Sequence, residues 1–471
     1  MTTYVSLGED DLAIELAIII DQSILNNNTE PENSPTVQLI TSSRYYELIH
    51  SNIIQQSTLI NSFDATLYNT IITLTCSLID RILDQNQYNK LVVEFISFIT
   101  DKQYQTQYQQ MKLRHLINIF NLLYTIQYNS TVSNISDKSS LVLNKLNCVV
   151  LANMLQYAID TKQQLSVYQQ LKNLSDWLGT NDSIQNNTST IDSTIRSQIL
   201  LCAYQIAGNV ANDNTLNQYA RNNLLLDADS YLYQYLQSCS NSSESLRYAA
   251  QASLRTIQSP LQSLNMNKKQ SQKSINNQSK ALDPHKLLQL SSVQQLHQST
   301  NEHRLLYELL NIVNLSNVNT YLSFYHNNKS FVEAQQIDHE FILSKLRTLT
   351  LCHLGLSHDI LAIDSIKQSL QLSDTMDVES AVIDAIMCGR LDGRIDDSNN
   401  TIIIKRVVGV NLWDDSNINN TSNTTNNNNK WDILSNKLNT WKDNVSAVLQ
   451  TMHQNSGNIH GNEQPEIMVE D

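Results

Sequence analysis

Apolar residues return every three or four positions along most of the chain, the spacing of one buried helix face. Leu12, Leu16, Ile19 and Ile20 form the first such row, behind Ser6 and Glu9, which are separated as in a capping box. The stretch from Asn26 to Pro35 breaks it. From about Arg44 to Ile257 the helical period recurs, as in Leu113, Leu116, Phe120 and Leu123. Helices follow in pairs across short polar stretches, for example Leu141 to Ile159 and then Leu165 to Leu178, which predicts stacked helical hairpins. No fixed repeat length recurs, so residues 1–260 are expected to form an irregular α-solenoid, an architecture that offers a large surface to other proteins.

Residues 265–280 run through Lys, Gln, Ser and Asn and predict a disordered polar loop. Helical spacing resumes over 281–356, and then the pattern changes. Asp359 to Ile363 reads as a short strand, Asp364 to Leu370 as a helix, and Asp377 to Cys388 as a second helix capped by Asp377. Leu391 to Asp396 and Thr401 to Val408 then bracket Asp397-Ser398-Asn399-Asn400, with β-branched residues concentrated in the second run, as in a hairpin. Two helices followed by a two-stranded wing describe a winged helix over 357–410. When a winged helix binds DNA its second helix needs basic or amide side chains on the exposed face. Here that helix carries Glu379 and Asp384, which favours a protein-binding role and leaves Lys405 and Arg406 on the wing as a minor RNA contact.

An Asn-rich linker at 411–429 leads to the last signal, a helix over 430–453 ahead of a disordered tail at 454–471. Trp431, Leu434, Leu438, Trp441, Val445, Val448 and Met452 alternate spacings of three and four, a heptad seam that predicts an interface with a partner helix. The fold class is thus mainly α: helical repeats, a winged helix with a small β-wing, and a C-terminal helix.

Composition narrows the function. Nine glycines and five prolines in 471 residues are too few for a sheet-rich fold with many tight turns. A net charge of -14 makes the whole chain a poor polyanion binder, so any RNA contact is local, through Lys405, Arg406 or the lysines of residues 268–280. No aromatic residue is interleaved with those lysines, which favours a solvated insertion. The longest apolar stretches, Leu12 to Ile20 and Ile71 to Leu83, each contain a carboxylate and fall short of a membrane span. The acidic run Glu9-Asp10-Asp11 stands where a secretory signal would be basic, so the expected location is the cytoplasm, and Asn-x-Ser/Thr triplets such as Asn129-Ser130-Thr131 are read as chance.

Candidate chemistry is sparse. Six scattered cysteines show no CxxC pair, and Cys76, Cys148 and Cys202 each continue an apolar helix row, the place of a small core hydrophobe. Neither a Walker loop nor GxGxxG, HExxH or GxSxG occurs. His353 and His358 stand five apart, Cys352 beside His353 lacks an orienting third group, and the adjacent Asp338, His339 and Glu340 point different ways on a helix. The expectation is a protein with no catalytic, cofactor or metal residues.

Four runs carry a resemblance. Tyr321-Leu322-Ser323-Phe324-Tyr325-His326-Asn327-Asn328-Lys329-Ser330-Phe331, Lys345 to Thr350, Asp377 to Ile386 and Leu438-Asn439-Thr440-Trp441-Lys442 resemble the PCI-domain subunits of eukaryotic translation initiation factor 3. The similarity is specific from about Leu305 to Met452 and thin before it, apart from the opening helix. Residues 281–356 and 357–410 would then be the helical and winged parts of a PCI domain. The resemblance implies a non-catalytic scaffold in a hetero-oligomer with PCI- and MPN-type subunits. It also implies binding to the small ribosomal subunit, assembly of the preinitiation complex and mRNA recruitment. In this family winged helices pack in an arc and C-terminal helices join a bundle, as the wing and seam suggest. PCI subunits of the signalosome and the proteasome lid share the layout and are the nearest alternative; an RNA-binding adaptor is another.

Overall fold

The computed structural model describes residues 9–23, 35–42, 44–56, 60–61, 63–79, 82, 84–101, 108–132, 143–178, 192–213, 216–239, 242–261, 282–407, 435 and 438–452. Contacts divide the chain into two compact units, Met1–Thr256 with Gln270–Tyr307, and Ile257–Lys269 with Glu308–Asp471.

The first unit is helical throughout its described residues. In order come α1 (Glu9–Ser23), α2 (Pro35–Thr41), α3 (Tyr45–Ile49) running into a π-turn (His50–Ile54), α4 (Ala65–Ile79), α5 (Gln85–Ile99) and α6 (Gln109–Val132). Then follow α7 (Lys145–Asp160), α8 (Gln164–Leu171), α9 (Leu174–Leu178), α10 (Ser193–Ala211), α11 (Gln218–Ser238) and α12 (Ser243–Gln258). Some sequence neighbours pack on one another, as α6 on α7 and α7 on α8, and α10 lies against both α7 and α11. The expected helix from Leu165 to Leu178 is two, α8 and α9, broken at Lys172 and Asn173. The short α9 brings Trp177 onto Phe120 and Tyr124 of α6, with ring centroids 5.2 and 5.7 Å away. Ser6 of the expected capping box and the polar loop at 265–280 lie outside the described residues.

The amide-rich composition has a structural use. Asn144, Asn217 and Asn317 each stand just before a helix and accept a backbone N–H from two or three residues on, at 2.8, 2.8 and 3.0 Å. Asparagine oxygens thereby satisfy donors that a helix start leaves orphaned. With glycine scarce, polar residues close helix ends in the left-handed region. Lys162, Gln336 and Gln371 have φ of 58, 52 and 53°, and each is followed by a backbone N–H that bonds five residues back.

The second unit carries the later helices and the only sheet among the described residues. The first unit still holds α13 (Pro284–Leu288) and α14 (Ser291–Gln294), and α15 (Asn301–Leu315) runs from it into the second, which continues with α16 (Val318–Asn327), α17 (Lys329–Ala334) and α18 (His339–Ser357). The chain then enters β1 (Ile360–Ala362), α19 (Ile363–Leu370), α20 (Thr375–Met387), β2 (Leu391–Asp396) and β3 (Thr401–Val407). The sheet is antiparallel with order β1-β3-β2. This is a winged helix, with both wing strands where the sequence predicts them. Its second helix is capped three residues earlier than expected, by Asp374, whose carboxylate accepts from Met376 N, so Asp377 belongs to the first turn.

Leu361, Ile363, Ile366, Leu370, Val378, Val382, Ala385, Leu391, Ile402 and Ile404 form the winged-helix core together with Leu351 of α18. A β-carbon on Gly355 of α18 would stand 2.8 Å from Ile404 Cδ1 and 3.0 Å from Val407 Cγ2. A bare glycine therefore lets β3 lie close on α18, and the winged helix is built onto the end of that long helix.

Candidate protein-interaction surface

The four runs that carry the resemblance fall on distinct parts of the second unit. Tyr321 is fully buried on α16, its hydroxyl 3.1 Å from His339 Nδ1, while Tyr325 stacks on the His339 ring with centroids 3.8 Å apart. Burial pushes the Tyr321 phenol above its usual range. Asp338, beside His339, caps α18 by accepting from Glu340 N and Phe341 N. The Asp-His-Glu triplet is thus a helix start whose histidine is held by two tyrosines. Among the described residues no group of three His, Cys, Asp or Glu is placed to hold a metal. Cys352 is buried, and that burial pushes its thiol up to about 11, which favours the protonated form. No described helix is long and apolar enough to cross a membrane.

On the wing, Lys405 and Arg406 are both exposed although neighbours on a strand ordinarily face opposite ways. Pairing explains it. Arg406 faces Asp392 and Ile404 faces Gly393, so Lys405 is the extra residue of a β-bulge. The bulge depends on Gly393, where a β-carbon would meet the backbone oxygen of Ile403 at 2.7 Å. Gly393→Ala is expected to cost about 1–3 kcal/mol, the usual penalty for overpacking against atoms that cannot swing away, and thermal unfolding measures it.

Of the predicted seam, Leu438, Trp441, Val445, Val448 and Met452 lie on the helix over 438–452, here α21, while Trp431 and Leu434 lie outside the described residues. All described residues of this helix are exposed, Trp441 at 67% and Met452 at 64%. Leu449, absent from the predicted seam, joins the same face and is also exposed. The exposed side of α20 also carries an apolar row that was not singled out from the sequence, Met376, Ile383 and Met387. Their 0, 7, 11 spacing was available as a signal, because the buried row Val378, Val382 and Ala385 fixes the helix orientation.

A long helix leading into a small winged helix, then an apolar helix with an uncovered face, defines a class of assembly module. Residues 315–406 match the PCI domain model, so the chain carries a PCI domain, and three of the four quoted runs lie inside that match. Its relatives include subunit M of eukaryotic translation initiation factor 3. Identity is 29% over 152 residues with the Xenopus tropicalis protein, covering 32% of this chain and 37% of that one. It is 27% over 151 residues with the Gallus gallus protein and 26% over 151 residues with the Homo sapiens protein, each covering 32% of this chain and 36% of the relative. The matched stretch thus spans little more than a third of these relatives' length.

Proposed function

We propose that this chain is a non-catalytic scaffold subunit of a translation initiation factor 3 complex in the cytoplasm. In this reading it supports assembly of the preinitiation complex on the small ribosomal subunit and mRNA recruitment. Its partners are other PCI- and MPN-type subunits, and it needs no cofactor. Residues 281–356 and 357–410 act as the helical and winged parts of the PCI module, and 1–260 as its helical-repeat extension. The observation that carries the reading is the exposed apolar face of α21, C-terminal to a PCI winged helix, since an exposed apolar face of this kind marks a surface for a protein partner. Gradient sedimentation of cell extracts tests the ribosomal part. A tagged chain should travel with free small subunits as well as with its complex, and its absence from all ribosomal fractions would contradict this.

The wing bulge favours one secondary activity, a weak RNA contact through Lys405 and Arg406, because it turns two adjacent basic side chains to solvent. If they touch RNA phosphates, Lys405→Glu with Arg406→Glu should weaken RNA binding and flatten its salt dependence by about two phosphate contacts. An unchanged salt slope would remove RNA from the account.

A further inference from the structure

The second helix of the winged helix, α20, has two apolar rows. Val378, Val382 and Ala385 are buried in the winged-helix core. Met376, Ile383 and Met387 are 67, 49 and 77% exposed, and with Ser380 they fall within an arc of about 60° at 100° per residue. The row runs about 16 Å along the helix, roughly three turns. Acidic residues border it, Asp377 and Asp384 on one side and Glu379 on the other, and the helix contains no lysine, arginine or histidine. Asp377 near the helix start favours helix formation, but Asp384 sits in the last turn, where the macrodipole disfavours an anion. Helix stability therefore does not account for Asp384.

We propose that this stripe is a docking site for an amphipathic helix of a partner protein whose apolar ridge is bordered by lysines or arginines. Charge complementarity selects that occupant. The acidic borders repel nucleic acid and anionic lipid alike, so the helix position that reads DNA in other winged helices is here turned to a basic peptide surface. Methionine on both ends suits the task, because its flexible thioether adapts to the ridge it meets. The inference rests on the assembly-subunit reading above and adds a second attachment point distinct from α21.

The test places a photocrosslinking residue, benzoylphenylalanine, at Ile383 of the full-length tagged chain in its own cells. After irradiation the complex is purified, and mass spectrometry reads both the co-purifying subunits and the segment joined to position 383. The expected product joins a segment with apolar residues at helical spacing and a net positive charge. Asp377→Lys with Asp384→Lys should lower its yield at least tenfold while the unfolding midpoint of the free chain stays unchanged. The proposal is overturned by crosslinks to nucleic acid, to an acidic segment or to the chain's own residues 438–452. It is equally overturned if complex subunits co-purify and no segment is joined, and that outcome leaves the assembly reading standing. A chain recovered without partners overturns both.

Discussion

Replacing Leu438 and Trp441 together by alanine is expected to release the chain from its complex and leave its own unfolding midpoint unchanged. Both side chains lie on the exposed face of α21, at 56 and 67% exposure, so little intramolecular packing is lost by truncating them. In a partner bundle the same residues would be buried. Each large apolar side chain then contributes roughly 1.5–3 kcal/mol before ordering costs, so losing two weakens association by a factor on the order of a hundred or more. Co-purification reads the first effect and thermal unfolding of the isolated variant the second. Early unfolding of the free variant would mean that the helix packs within its own chain. If neither readout changed, α21 would not be a contact, and attachment would rest on the winged helix.

Lys345→Ala is expected to destabilise the second unit by about 3 kcal/mol or more, a fall in melting temperature of about 6–12 °C for a unit of this size. Lys345 on α18 is only 8% exposed, and its ammonium donates to Ile257 O at 3.2 Å and Ser259 O at 2.9 Å. These carbonyls lie at the end of a helix, where acceptors lack intrahelical donors. Alanine leaves both a cavity and two acceptors without this donor, whereas Lys345→Met restores most of the volume and should recover part of the loss. Burial, with Arg390 adding repulsion, pushes the Lys345 ammonium down to about 8 from 10.5. Its folded-state value is therefore below the unfolded one, and between pH 8 and 10.5 the unfolded chain binds more protons. In that window wild-type stability should rise with pH relative to Lys345→Met, which cannot titrate there. Tyrosines and cysteines held protonated by burial act in the opposite direction, but they are common to both proteins and cancel in the difference. A flat difference from pH 8 to 10.5 would show that Lys345 is not buried as described.

The sequence carried the winged helix almost residue by residue because its signals are local. The run Thr401-Ile402-Ile403-Ile404 after a polar four-residue turn admits few readings, and β3 begins at Thr401 as expected. The start of α20 is misplaced in the sequence pattern because Asp377 is a residue type suited to capping, and only the hydrogen bond to Met376 N identifies Asp374 as the cap. The break between α8 and α9 left no glycine or proline to mark it; it reflects the packing of Trp177 on Phe120 and Tyr124. Two features lay beyond local pattern. The bulge at Lys405 requires knowing which residue faces Gly393, and the burial of Lys345 requires knowing that helix-end carbonyls approach α18. The apolar face of α21 was legible from spacing alone, because that helix is exposed along its described length and nothing intramolecular overrides its pattern.

The measurement closest to the central claim is affinity purification of the tagged chain from its own cells with quantitative mass spectrometry. Wild type should recover the subunits of translation initiation factor 3 in constant proportion, and Leu438→Ala with Trp441→Ala should lose them. Recovery of signalosome or proteasome-lid subunits in their place would contradict the account, because those assemblies use the same PCI architecture for other ends.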